Sequence, residues 1–421
     1  MRFGTWNFVR TVKQTGEIAI KEMVVLKEGR KIVGFTDFNK YICGSDKKKS
    51  HKINESLKGR TKIIVKFLNY VYFDQYQIKK LQDLQLDMVK RFLKDYGLCN
   101  LPGDSEFTHR SRNTVDLAIG YIIDFLEKVL ADRSVKMSFK KADLYKEREI
   151  YSKKQKKFIK IKVPVFEVNY VDTYRSKIFR DIPTDAFAII MNHIFLNHPR
   201  ILMLAANSAF AGVRPSESCN IRREDSVLGP GIKIETLDGE ITDITLDLRY
   251  EFALRSDDVS VGGIKKHREQ KIYYGLMSNW IRCYERYNKF NEGRKYESDY
   301  GPLSTNKQGM AITYQSYYDE FRQVVKECIP QMLASDNPEV VQYGNHLAVH
   351  HISPHILRHW FSVYLVLNGA ELNDLMYWRG DKSPESSQVY LDNKSDIVNK
   401  HNLVAEKAFD FLMWRSANGT K

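Results

Sequence analysis

At 421 residues the chain is long enough to bury two or three cores, and its excess of Lys and Arg over Asp and Glu, 66 to 52, gives a net charge of +14 that favours an anionic partner. Five cysteines, Cys43, Cys99, Cys219, Cys283 and Cys328, are odd in number and far apart, with no Cys-x-x-Cys or Cys/His spacing; this argues against a zinc site and for a reducing compartment. The N-terminus carries no apolar leader and no stretch approaches about eighteen uninterrupted apolar residues, so a soluble, cytoplasmic protein with no membrane partner is expected.

In chain order, residues 1–54 mix short β-like runs (Glu17-Ile18-Ala19-Ile20, Met23-Val24-Val25-Leu26, Lys31 to Phe35) with turn residues and run into Lys47, Lys48 and Lys49, predicting a small β-rich arm domain. Across 55–135 the apolar residues Ile63, Ile64, Phe67, Leu68 and Val71 recur at helical spacing, and 84–93 and 114–130 behave alike, predicting three amphipathic helices. Residues 136–177 form a basic interdomain linker in this scheme. Between 136 and 162, eleven Lys and Arg stand against three acids, a net excess of eight positive charges. Tyr145, Tyr151, Phe158, Ile159 and Ile161 interleave with the lysines, so phosphate contact is expected in place of a merely solvated connection.

The remaining segment, 178–421, opens where Thr184 can cap a helix. Residues 186–195 and 201–210 read as packed helices, the second delivering Arg214 at its C-terminal turn. The run 232–248 alternates about Leu237-Asp238-Gly239-Glu240, a β-hairpin pattern, and Lys271-Ile272-Tyr273-Tyr274 reads as the next strand. Helices at 278–290 and 314–332 precede a turn-rich stretch at 335–338. Ser353 and Pro354 suit an N-cap and first helical position, which sets His355 and Arg358 one turn apart on one face, where both can address one phosphate. That helix should end at Asn368-Gly369, with a second short helix before the Arg379-Gly380 break. Ser383-Pro384 starts another, carrying Tyr390, and an apolar terminal helix spans 397–414. The fold class is mainly α with a small antiparallel β-sheet.

Four motifs stand in order: Ala211-Gly212-Val213-Arg214-Pro215-Ser216-Glu217, the stretch from Gly262 through Lys265-Lys266 to Lys271, His355-Ile356-Leu357-Arg358, and Gly380-Asp381 leading to Tyr390. Each alone occurs by chance in long chains. Together, at this spacing, they make residues 178 to 410 resemble the tyrosine recombinase (phage integrase) family, with a coarser resemblance reaching back to about residue 55. The resemblance implies the family's catalytic domain, preceded by a helical (SAM-like) core-binding domain and an N-terminal arm. It implies an integrase or transposase of a mobile element that cleaves and rejoins double-stranded DNA through a 3′-phosphotyrosyl intermediate. It also implies a homo-oligomer on DNA, a dimer per site joining into a synaptic tetramer, with accessory DNA-bending proteins as optional partners and with neither cofactor nor metal. The apolar terminal helix by itself suits packing on its own domain, and the resemblance implies docking on a neighbouring protomer.

The chemistry explains the residue types. A phosphodiester gains negative charge in its pentacovalent transition state, and the guanidinium groups of Arg214 and Arg358 match it bidentately. Tyr390 is the nucleophile that conserves the bond energy. A leaving 5′-oxygen needs a proton, for which Lys266 is preferred by counting back from Lys271, with Lys265 adjacent; His355 assists proton transfer. Glu217 holds the Arg214 loop.

One position departs from the family, which usually carries His or Trp directly after the glycine, nine residues before the nucleophile. Here Asp381 follows Gly380. A carboxylate beside a phosphate is repulsive unless protonated or paired, so the expected arrangement turns Asp381 outward and passes its role to Lys382 or His359. The other arrangement is a site tuned for slow or regulated cleavage. Beyond this role for His359, the histidines His350, His351 and His359 are read as packing or polar residues and not as a metal site. Two alternatives stand beside the main reading: a DNA-binding regulator that has lost cleavage, and a housekeeping resolvase of the same chemistry, against which the arm and the long basic segment argue.

Overall fold

The structure, a computed structural model, describes residues 1–11, 18–43, 55–104, 110–152, 157–168, 182–257, 259–296, 300–381 and 383–392. Lys47 to Lys49, Lys153, Lys154, Lys156, Lys382 and the 397–414 segment lie outside them. The described residues form two compact units, one within residues 1–10 and 19–168 and the other within residues 182–392 together with Thr11 and Ile18.

In the first unit β1 (Arg2–Thr11), β2 (Ile18–Glu28) and β3 (Lys31–Phe35) make a sheet in the order β1-β2-β3. The runs at 18–20 and 23–26 fall in the single strand β2 and the Lys31 to Phe35 run is β3, while β1 lies outside the predicted runs and Glu17 outside the described residues. A short helix α1 (Asn39–Cys43) follows, then α2 (Glu55–Asn69), α3 (Leu86–Gly97) and α4 (Arg112–Ala131), the expected helices within a few residues. Their apolar stripes close on one another through Phe67, Leu68, Phe92, Leu93, Ile122, Phe125 and Leu126, all buried. Val24 and Tyr41 enter the same core, and the Asn69 side chain pairs with the Phe3 backbone at 2.8 and 3.0 Å, so the arm sheet is fastened to the helices.

The basic stretch contains a hydrogen-bonded ribbon. Strands β4 (Tyr145–Ser152) and β5 (Lys157–Pro164) pair antiparallel from Tyr145↔Pro164 to Ser152↔Lys157. In this register Glu147 faces Lys162 and Glu149 faces Lys160, so acids offset two of the lysines. Tyr151 and Phe158 are also opposite one another, with ring centroids 5.4 Å apart and Phe158 71% exposed.

The second unit begins with α5 (Thr184–Asn197), α6 (Pro199–Phe210) and α7 (Pro215–Ser218). Pro183 occupies the N-cap, so Thr184 is the first helical residue and makes no side-chain cap. The strands β6 (Ile232–Leu237), β7 (Glu240–Leu248) and β8 (Arg268–Lys271) form an antiparallel sheet in that order. The third strand ends where the sequence pattern placed its start. Tyr273 N leaves the ladder for Phe210 O at 3.1 Å and the chain coils at 274–276, so the apolar Ile272-Tyr273 pair marks burial and not strand alternation. Then come α8 (Met277–Asn291), α9 (Tyr314–Leu333) and α10 (Pro338–Val349). α10 was not foreseen; its signal is Asn337-Pro338, where the Asn337 side chain caps Glu339 N at 3.0 Å. α11 (His355–Leu367), α12 (Leu372–Arg379) and α13 (Glu385–Asp392) complete the described chain.

α6 is buried from Ile201 to Phe210. α11 packs on it, with Leu357, Phe361, Leu365 and Val366 buried in the same core, while Trp360 stacks on Phe187 at 3.8 Å. Emptying one such aromatic site, as in Phe361→Ala, costs about 3–5 kcal/mol, so these two helices are rigid supports for what their ends carry. Among the described residues no helix is long and apolar enough to cross a membrane, and Cys219, Cys283 and Cys328 are buried and unbridged.

Candidate active site

Beyond Phe210 the chain turns over α11 at Gly212, whose φ of +62° and contact with the Phe361 ring leave no room for a Cβ. The turn is pinned from inside: Val213 N donates to Asn207 O at 3.1 Å, and the Asn207 side chain is held by Trp280 Nε1 at 2.8 Å and by Ser218 Oγ at 3.1 Å. Arg214 therefore sits at the N-cap of α7 and not in the last turn of α6. Glu217, fully buried, accepts from Arg214 N (3.3 Å), Arg214 Nη1 (3.2 Å) and Arg268 Nη2 (3.2 Å). Burial pushes its carboxyl upward, but Arg268, Arg214 and Arg358 outweigh that and hold it below the usual range. Ionised Glu217 thus fixes the loop.

His355 opens α11 and Arg358 follows one turn later, as the spacing predicts. Arg358 is 1% exposed; it donates to Gly212 O and, at 3.1 Å, to Asp381 Oδ1. Its Nε is buried with no acceptor among the described residues. Burial first, then Arg358, Arg379 and Arg214, bring His355 down to about 4, so its ring is neutral at pH 7.

Asp381 does not point outward. α12 closes on Gly380 in the left-handed conformation (φ +61°), against Arg268, and this delivers the next side chain inward, 1% exposed. Oδ1 accepts from Arg214 Nη2 at 2.7 Å and Arg358 Nη2 at 3.1 Å and lies 3.6 Å from Lys266 Nζ. Oδ2 accepts from Arg379 Nε at 2.8 Å and from the Ser386 and Ser387 hydroxyls at 3.2 Å each. Burial pushes the carboxyl up, but Arg358, Arg379 and Arg214 hold it well below the ordinary range. Beside a phosphate alone the carboxylate would be turned outward by repulsion; here it is held inward because it relieves the mutual repulsion of four buried or half-buried cations, Arg214, Arg358, Arg379 and Lys266.

Lys266 is turned into this cluster while Lys265 is exposed, and the Lys266 amine is lowered by burial, with Asp381 pulling it back and Arg214 reinforcing the drop. Tyr390, 8% exposed on α13, shares a hydrogen bond with His359 Nδ1, and the Arg379 guanidinium lies 4.7 Å from its ring centroid. The His359 ring meets His355 edge to face at 5.0 Å. All six sequence candidates are thereby linked through direct contacts or one intervening side chain. Arg379, Arg268 and the His359 to Tyr390 contact were not anticipated. His359 lies one helical turn from His355, a spacing that would have found it; Arg379, two residues before Asp381, has no such signal.

No family model matches the chain, and no curated protein does. It is similar to solved structures. One is the XerH site-specific recombinase bound to palindromic difH substrate in a post-cleavage complex, at 14% identity over 83% of this chain and 79% of that one, with a TM-score of 0.47. A second is the Tn1549 transposon integrase in complex with transposon right end DNA, at 14% identity over 87% and 98%, with a TM-score of 0.49. A third is the XerA recombinase, at 14% over 87% and 97%, with a TM-score of 0.34. At this level of likeness they assign no role to any residue here.

Proposed function

We propose that the chain is a DNA-breaking and rejoining enzyme of the tyrosine recombinase type, the integrase or transposase of a mobile element. The observation that carries this is the convergence of Arg214, Arg358 and Lys266 on one carboxylate oxygen, with Arg379 on the other and stacked on Tyr390. Asp381 Oδ1 stands where a non-bridging phosphate oxygen would be held. The scissile phosphate takes that place on Arg214 and Arg358, and Asp381 stays tied through Oδ2 to Arg379, Ser386 and Ser387.

The Tyr390 oxygen then attacks phosphorus, its proton passing to His359. The bond from phosphorus to the 5′-oxygen breaks, and Lys266 protonates the departing oxygen, a task its lowered basicity favours. Neutral His355 donates a hydrogen bond to the phosphate. Rejoining reverses these steps with a 5′-hydroxyl as nucleophile. In this scheme residues 1–54 are an arm domain, 55–135 bind the core site, 136–177 contact phosphates between domains and 178–421 hold the chemistry, with two protomers on each double-stranded site and four in synapsis.

The filled arginine cluster also favours a second reading, a DNA-binding protein that no longer cleaves. A nicked duplex that loses its downstream strand after cleavage separates the two. The enzyme accumulates a covalent adduct that Tyr390→Phe abolishes while DNA binding persists; a binder forms no adduct, and an adduct surviving in Tyr390→Phe assigns the nucleophile elsewhere.

A further inference from the structure

A second group of side chains gathers outside the arginine cluster, where the corner between α5 and α6 packs on α9. His193 from α5 and His198 at the corner each place Nε2 2.8 Å from the same oxygen, Oε2 of Glu327. These three atoms lie within 4.8 Å of one another. Their far sides are also partnered. His193 Nδ1 is 3.2 Å from Asn197 Nδ2, His198 Nδ1 is 3.5 Å from Glu320 Oε1, and Glu327 Oε1 accepts from Gln323 Nε2 at 2.8 Å. Glu320, 3.7 Å from Arg200, keeps that Oε1 buried without a hydrogen-bond partner among the described residues.

We propose that His193, His198 and Glu327 bind a zinc ion, with water as fourth ligand. Two imidazoles and a carboxylate suit zinc among the available divalent ions. Bonds of about 2.0–2.1 Å place tetrahedral ligands about 3.4 Å apart, so the widest pair closes by at most ~1.4 Å and the two 2.8 Å pairs open by ~0.6 Å, within reach of small side-chain rotations. Zinc replaces the two inward ring protons that now crowd one oxygen. The His198 Nδ1–H then points at Glu320, the carboxylate that orients a metal-bound imidazole, and the Asn197 amide turns its oxygen to the His193 Nδ1–H. The ion fastens α9 to the corner from which α6 runs to the Arg214 loop; it takes no part in strand cleavage.

The test is calorimetric titration of zinc chloride into the chelator-treated, dialysed full chain, paired with thermal unfolding. One zinc per chain at micromolar affinity and a higher melting temperature are expected. His193→Gln and His198→Gln, which keep a donor for Glu327 but lose the ligand, should bind at least about tenfold more weakly, since even outer hydrogen-bond partners act on that scale. Absence of micromolar binding, or unchanged binding in both variants, overturns the site. If the variants fail to fold, cobalt substitution in the native chain decides. Tetrahedral d–d bands without thiolate charge transfer support the proposal, and thiolate bands or none overturn it.

Discussion

Asp381→Asn takes one negative charge from between Arg214, Arg358, Arg379 and Lys266 while keeping the size of the side chain. Breaking a buried ion pair by removing one partner costs about 3–5 kcal/mol, because the charges left behind are desolvated without compensation. The amide oxygen still accepts a hydrogen bond, so a loss near 3 kcal/mol is expected, read by urea unfolding at pH 7 in low salt. An anion that occupies the vacated arginines should restore most of it, since a ligand at 100 times its Kd contributes about 2.7 kcal/mol. Sulfate should therefore stabilise the variant far more than the wild type.

The pH dependence has a fixed sign. The Asp381 pKa is lower folded than unfolded, so its contribution is complete above about pH 4 and is lost only as pH falls toward the folded value. The gap between wild type and variant should stay flat from pH 5 to 8 (roughly the working range of most carboxylate-stabilised proteins) and close only in stronger acid. In single-turnover cleavage the variant should be faster, because a like charge about 4 Å from the phosphate is worth about 4 kcal/mol at an effective dielectric of 20. A loss below ~1 kcal/mol with no sulfate response would refute the inward placement of Asp381 and the anion site built on it.

Arg214→Ala and Arg358→Ala should each slow single-turnover cleavage by roughly 10² or more, as for other preorganised donors; a near wild-type rate removes that residue from the reaction. Neutralising Lys153, Lys154, Lys156 and Lys157 together should weaken DNA binding across all sequences and lower the salt slope by about 0.9 for each phosphate no longer neutralised, and an unchanged slope returns this stretch to solvent. The His355 pKa, about 4 when folded, lies below the ordinary 6.5, so stability is full above pH 6.5 and declines as pH falls toward 4. Unfolding midpoints across that window should show the acid limb, and His355→Gln should flatten it; an identical limb in the variant assigns it to another group.

Most of the longer helices of both units are legible because they bury an apolar stripe, as Phe67, Leu68 and Val71 do in the first unit and Leu357 and Phe361 do on α11, whereas α10 is not among the predicted helices and the short α1 and α7 carry no comparable apolar repeat in the sequence. His355 and Arg358 were legible because helical spacing alone sets them on one face. The basic ribbon was less so: the cross-strand pairing of Glu147 and Glu149 with Lys162 and Lys160 depends on register, which net charge does not carry. The strand ending at Lys271 is displaced because Ile272 and Tyr273 are apolar for burial, the Tyr273 ring packing against Phe361, Tyr364 and Trp378, and not for alternation. Asp381 was misplaced for a deeper reason. Its orientation is set by Arg379 and by the left-handed Gly380, and the sum of charges around it emerges only when the loops of α7, α11 and α12 are brought together.

The most direct test of strand cleavage through Tyr390 is mass spectrometry of the covalent adduct trapped on a nicked duplex, digested with trypsin and nuclease. The account predicts a phosphonucleotide mass on the peptide from Ser383 to Lys394, which holds Tyr390 as its single tyrosine. Modification of any other peptide, or DNA that is bound and released with no covalent mass on the chain, would contradict it.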